Sequence, residues 1–293
     1  MPRELWDFFW YNRPLLNLIA AMAASSVQTI SRKKKVLPGI FIAIHTFGRD
    51  LKRNVHIHLS ITLGGLSADG AQWKNLYFDQ ATLMRLWRYQ IVTLFRQKWA
   101  ELIIPPAIQK QLHHAFTFHQ FLDYLYKKQW IVNCSTPSED PKQNIGYLGR
   151  YVKRPPIAES KLKHYDGHEV AFNYLDHNTN TYRQLKLSAE QFIGRFVQHI
   201  PDEGFRMIRY YGFLANRVRG KWLPIVYQLL HQEGHGSQTR PPTFAELIQK
   251  NFHFDPLTCI LCGSPLVLIT IHYGLSITQL LLFHRELALL KKI

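Results

Sequence analysis

Cysteine, methionine and acidic side chains are all scarce in this sequence. Three cysteines in 293 residues, Cys134, Cys259 and Cys262, are too few for a disulfide framework. The chain must therefore stand on a hydrophobic core, and such cysteine usage suits a reducing compartment such as the cytoplasm. Acid is short as well: 20 Asp and Glu face 36 Lys and Arg, a net charge of +16. That deficit points to a polyanionic partner, with nucleic acid ahead of an acidic membrane surface. Internal repeats and low-complexity blocks are lacking, which excludes a solenoid. No strand runs into a Gly-rich loop and then a helix, which excludes a Rossmann unit. Long uninterrupted apolar runs are missing too. Asn17 breaks the stretch Leu15–Val27, which follows the acids Glu4 and Asp7, unlike a signal peptide. His272, Gly274 and Gln279 break the stretch LVLITIHYGLSITQLLLF, so a buried strand and helix are expected there rather than a membrane span.

What remains is an ordinary folding composition: 46% hydrophobic, 13% aromatic and 19% charged residues, which excludes disorder as the main state. The N-terminal apolar stretch reads as an amphipathic or buried helix, and SRKKK (31–35) as a basic tether. GIFIAIHTF (39–47) reads as a strand. NVHIHLSITL (54–63) alternates strictly, with Asn54, His56, His58, Ser60 and Thr62 on one face and Val55, Ile57, Leu59, Ile61 and Leu63 on the other. GGLSADG is a turn-rich link, followed by a helix over 78–100 and helical character over 106–130. The breaker cluster NCSTPSEDP precedes a helix that Asp140 and Pro141 should open and Pro155-Pro156 should close. HEVAFNYL and TYRQLKL flank DHNTN as a hairpin, and Ser188 with Gln191 opens another helix as a capping box. EGHGSQTRPP (233–242) is the linker candidate.

Two pairs of residues could carry chemistry. His56 and His58 project from one strand face roughly 7 Å apart, so both imidazoles could reach one metal ion. With 15 histidines in the chain, chance alone supplies about 0.8 such pairs, and two polar residues on a wet strand face give the same pattern. Tyr147 and Tyr151, four apart on the expected helix, place their phenols on one face. A half-buried aromatic ridge would look identical. A phenol, with an ordinary pKa of about 10, becomes a useful nucleophile when a cation polarises the phosphate it attacks. The order of features is more telling than either pair: histidine strand, long helical spacer, tyrosine helix, all in a basic chain.

On those residues the sequence resembles a known family. HTFGRDLKRNVHIHLSITLGGLS (45–67) is similar to the histidine-hydrophobic-histidine region of HUH endonucleases. YLGRYVKRPPIAESKL and FRMIRYYGFLANR (205–217) resemble the two-tyrosine, rolling-circle insertion-sequence transposases of the IS-ninety-one-like kind. The resemblance covers roughly Ile40 to Cys262. It implies that His56 and His58 are metal ligands and that Tyr147 and Tyr151 are nucleophiles. Their substrate would be single-stranded DNA at mobile-element ends, nicked and rejoined through 5′-phosphotyrosine intermediates at the nucleoid of a bacterium. For the third ligand His45 comes first, since a preceding antiparallel strand could bring it to the same face, and Gln143 second. Mg²⁺ or Mn²⁺ would fit beneath a phosphate, with Mn²⁺ tolerating imidazole better. Relatives of this kind commonly carry a cysteine-rich zinc-binding module ahead of the catalytic region. No cysteine precedes Cys134, so the chain is expected to lack that module. Cys259 and Cys262 are half of a tetrahedral zinc site, with His253 a conceivable third ligand.

The expected fold is α+β: a central antiparallel sheet carrying the His-x-His strand, helices packed on it, and helical extensions at both ends. The expected division is an N-terminal helix and tether (1–38), a catalytic nuclease-like domain (39–232), and a linker with the CxxC extension (233–293). DNA phosphates would meet Arg53, Arg150, Lys153, Arg154 and Arg209, with 32–35 and Arg206 adding charge. Trp73 or Tyr211 could stack on unpaired bases. The rival readings are a basic binder without catalysis and a metallophosphoesterase that activates water at the histidines.

Overall fold

The computed structural model describes residues 1–135, 155–176, 179–232, 242–259 and 261–266, with isolated positions at 146, 149, 276, 278, 279 and 282. The chain divides into two compact units, Met1–Gly236 and Ser237–Ile293. In the first unit, helices α1 (Trp6–Tyr11) and α2 (Leu15–Lys33) lead into strands β1 (Val36–Phe47), β2 (Arg53–Ser67) and β3 (Trp73–Asn75). Helices α3 (Gln80–Lys98), α4 (Pro106–Gln109) and α5 (Ala115–Lys127) follow. Later in the chain come β4 (Leu162–Tyr165), β5 (Glu169–Asp176), β6 (Thr181–Ser188), α6 (Ala189–Val197), β7 (Ile208–Gly212) and α7 (Arg219–Leu229). One antiparallel sheet has the order β3-β2-β1-β7, and a second the order β4-β5-β6. The α+β class with an antiparallel sheet under the His-x-His strand is borne out.

The period-two pattern of β1 and β2 decides where the core lies. Ile40, Ile42 and Ile44 on β1 and Val55 on β2 point to one face and meet Phe8, Phe9, Ile19, Phe95, Phe118 and Leu122 from the helices. Phe8 meets Phe95 edge-on with centroids 5.4 Å apart, and Phe9 meets the same ring at 5.6 Å. Each large side chain fully buried there contributes about 1.5–3 kcal/mol of transfer free energy. A smaller apolar cluster, Leu51, Phe172 and Leu187, joins the β1–β2 turn to the second sheet. Leu51 takes a left-handed φ of 61° to insert its side chain into that cluster.

Two expectations need correction. The segment 31–35 is not a tether: α2 runs on through Lys33, and only Lys34 and Lys35 separate it from β1. Arg32 and Lys33 suit the last turn because cations offset the negative end of the helix dipole. The glycine pair 64–65 is not a turn but part of β2. A Cβ at Gly65 would lie 2.3 Å from the Leu37 carbonyl oxygen, and one at Gly64 would lie 2.4 Å from the Trp73 indole nitrogen. Glycine is there because neighbouring strand and ring approach closely, which the sequence displays as a turn signal. The helices expected over 106–130 are present as α4 and α5. The chain breaks over Lys110–His114, where Leu112 turns into the core and local turn bonds replace the helical ladder.

The expected hairpin is present as β5 and β6, and Ser188 caps α6 by accepting the Gln191 N–H at 3.2 Å. In the second unit, α8 (Phe244–Phe252) opens with a complete capping box between Thr243 and Glu246. Among the described residues no helix is long and apolar enough to cross a membrane.

Candidate metal centre

The register of β1 against β2 places the histidines. His45 stands opposite His56, and Ala43 opposite His58. Directly opposed residues of an antiparallel pair share a face, as do alternate residues along one strand. All three imidazoles therefore rise from the face turned away from the helical core. Their ring centroids are 5.4 Å apart for His45 and His56, 4.7 Å for His45 and His58, and 4.9 Å for His56 and His58. One ligand-capable nitrogen from each lies within 4.8 Å of the others, with His45 buried and the other two half-buried. Among the described residues this is the cluster of His, Cys, Asp or Glu side chains that could hold a metal ion.

Local bonds orient the rings. His56 Nδ1 lies 2.7 Å from the Asn54 carbonyl oxygen; a carbonyl only accepts, so Nδ1 carries the hydrogen of that bond. Phe47 stacks on His45 with centroids 5.0 Å apart at 17°, and His199 packs edge-on against Phe47 at 5.7 Å. His199 is itself buried. Its Nε2–H donates to the Leu51 carbonyl at 3.0 Å, which leaves Nδ1 to accept the Thr46 hydroxyl at 3.1 Å. Burial pushes its pKa below the ordinary histidine value, with Arg53 and Arg13 adding in the same direction. His199 thus ties the helix after β6 to the turn beside the triad. No spacing in the sequence marked it.

The other expected residues fall in different places. Tyr147, Tyr151, Arg150, Lys153, Arg154 and Gln143 lie outside the described residues. Arg53 donates to Gln198 Oε1 at 2.9 Å and to Asp7 Oδ1 at 2.7 Å, with its guanidinium 4.6 Å from the Trp10 ring centroid. Arg209 bonds both oxygens of Asn17 and the Arg206 carbonyl. Both guanidiniums therefore brace elements of the first unit. Trp73 packs against Phe213 at 6.1 Å in a third apolar cluster. Tyr211 packs on the main core, where burial pushes its hydroxyl pKa up. Cys259 closes a tight turn, its carbonyl accepting the Gly263 N–H at 2.8 Å. Among the described residues no group of three potential ligands includes Cys259, Cys262 or His253.

Fold and site together define a class: an α+β protein with one sheet face sealed by helices and the other lined by a three-imidazole cluster. Comparison with known proteins makes the assignment narrower. Residues 39–221 match the family described as "Putative transposase", and the chain belongs to that transposase family. It is 38% identical over 282 residues to the transposase for insertion sequence element IS801 of Pseudomonas savastanoi pv. phaseolicola, covering 96% of this chain and 68% of that protein. It is 30% identical over 244 residues to "Putative transposase y4qJ" of Sinorhizobium fredii (strain NBRC 101917 / NGR234), covering 78% of this chain and 60% of that protein. No solved structure matches.

Proposed function

We propose that the chain is a rolling-circle transposase of the HUH type, nicking and rejoining single-stranded DNA at mobile-element ends through tyrosyl intermediates. The observation that carries this reading is the convergence of His45, His56 and His58 on one sheet face in a member of a transposase family. The donor set fits a divalent ion: three imidazoles from two paired strands, one oriented by its bond to a backbone carbonyl. His45, His56 and His58 would hold it, and Mn²⁺ suits the nitrogen donors better than Mg²⁺. When bound, the ion supplies charge stabilisation for the scissile phosphate.

The chain's own part is then nucleophilic. The Oη of Tyr147 or Tyr151 attacks the phosphorus, the bond from phosphorus to the 3′ oxygen breaks, and the tyrosyl proton leaves with the freed 3′-hydroxyl or solvent. The 5′-phosphotyrosine conserves the energy of the broken bond, so rejoining to a new 3′-hydroxyl needs no nucleotide cofactor. Two tyrosines let the chain hold one end while attacking another. The surplus of 36 basic over 20 acidic residues favours a polyanionic strand in the site. Arg150, Lys153 and Arg154, flanking the tyrosines in sequence, are the proposed phosphate contacts.

The test is incubation with Mn²⁺ and single-stranded oligonucleotides spanning the DNA that borders this coding sequence. A covalent protein–DNA adduct that survives denaturing electrophoresis is expected, and it should vanish in the Tyr147→Phe/Tyr151→Phe double variant. Cleavage without any protein-linked product would point instead to water activated at the histidines. Salt-sensitive binding without cleavage would leave only a basic DNA binder.

A further inference from the structure

We propose that Tyr210 is a base-stacking residue that seats a single-stranded DNA substrate beside the histidine triad; this rests on the single-stranded-DNA reading above. The sequence offered Tyr211, but strand parity reverses the choice. Strand β7 pairs with β1 so that Phe41 stands opposite Tyr210 and Ala43 opposite Ile208. Phe41 and Ala43 belong to the same alternating set as His45, so Tyr210 rises from the histidine face while Arg209 and Tyr211 turn to the helical side. Tyr211 is accordingly packed against the main core, and Tyr210 is 38% exposed.

The geometry suits a strand passing through the metal site. Tyr210 lies two strands across from His58 and one alternate residue further along. At about 4.8 Å per strand and about 6.8 Å per two residues, the offset is about 12 Å. That is the span of some two to four nucleotides, depending on how far the strand is stretched beyond its stacked rise of about 3.4 Å. A base next to the cleaved phosphate would therefore sit over the triad while a neighbour a few positions away reaches Tyr210.

The ring is also braced. The Phe41 side chain, itself buried, meets it edge-on with centroids 5.6 Å apart at 65°. An aromatic ring held from one side by another, with part of its surface open, is pre-organised to receive a π-face, and every nucleobase has one. The contact would be tolerant of sequence. It would position the strand rather than read it, and the phenolic hydroxyl is not needed for it.

The experiment uses the full chain and a 20-nucleotide oligo(dT) carrying single 5-iododeoxyuridine substitutions. Affinity is measured by fluorescence anisotropy without metal, and cross-linked peptides are mapped after long-wavelength irradiation. Tyr210→Ala should weaken binding about tenfold, and Tyr210→Phe should stay within about twofold of the unmodified chain. The wild-type cross-link should fall on the peptide containing Tyr210. Mn²⁺ affinity at the triad should be equal in all three proteins, which separates a lost contact from a disturbed sheet. If Tyr210→Ala binds as tightly as wild type, or the cross-links map only elsewhere, the assignment of Tyr210 is wrong while the metal site and tyrosine chemistry stand. If the wild-type chain does not bind the oligonucleotide at all, both readings fall together.

Discussion

The two faces of the β1–β2 ribbon share one backbone and differ only in every second side chain, yet they have opposite lives. On one face Ile40, Ile42, Ile44 and Val55 are sealed beneath α1, α2, α3 and α5. On the other, His45 is buried, His56, His58 and Ser60 are half-buried, and Tyr210 is exposed. The helix-covered face supplies the rigidity and the histidine face inherits it. Three imidazoles on mobile loops would each lose conformational entropy on gathering round an ion, at a cost of about 1 kcal/mol or more per residue ordered. Mounted on a paired ribbon anchored from behind, they are gathered by folding itself. The division of labour follows from the two-residue period of a strand.

The comparison can be broken first from the helix-covered side. Ile42 is fully buried, so Ile42→Ala should cost about 2–5 kcal/mol of unfolding free energy, read from urea denaturation midpoints. A smaller value would mean that the helical layer collapses onto the gap. On the histidine side, His45→Ala should lower Mn²⁺ affinity by about 100-fold or more, measured by titration calorimetry, while moving the denaturation midpoint far less than Ile42→Ala. Equal loss of stability in the two variants would erase the distinction between the faces.

His199 sits where the faces meet. Its folded-state pKa is depressed by burial, so the neutral ring is the folded form. The stability it contributes is complete above the unfolded value of about 6.5 and is lost as pH falls through the lower folded value. The melting temperature should therefore decline on acidification from pH 7 to 5, and His199→Gln should flatten that decline. An unchanged pH slope would show that other groups govern it. The smallest effect belongs to Ser60, half-buried on the histidine face. Ser60→Ala should change stability by less than about 0.5 kcal/mol and leave Mn²⁺ affinity unaltered; a large change in either would reveal a load on that position.

Some of this was legible beforehand because it is local. Strict alternation over 54–63 is a strand signal that few other structures produce, and it assigned His56 and His58 to one face. Ser188 announced α6 because a hydroxyl before a helix satisfies an otherwise orphaned N–H. Other features were hidden because they arise from distant partners. Gly64 and Gly65 signal a turn by composition, but Leu37, far back in sequence, and Trp73 on the next strand make them strand residues. The break before α5 depends on Leu112 finding a core site. In IRYYG two adjacent tyrosines give no pattern from which to choose the outward one; that choice needs Phe41 as a partner. His199 had no spacing to betray it, since its importance lies in Thr46 and Leu51.

By itself the amino-acid sequence determined the charge, the antiparallel histidine strand and the family to which the chain belongs, because composition, short periodicity and motif are properties of neighbours along the chain. Only the tertiary structure decided that His45 joins His56 and His58, that Arg53 and Arg209 brace the fold, and that Tyr210 rather than Tyr211 shares the histidine face. Those outcomes depend on strand register, where a shift of one residue turns every side chain to the opposite side.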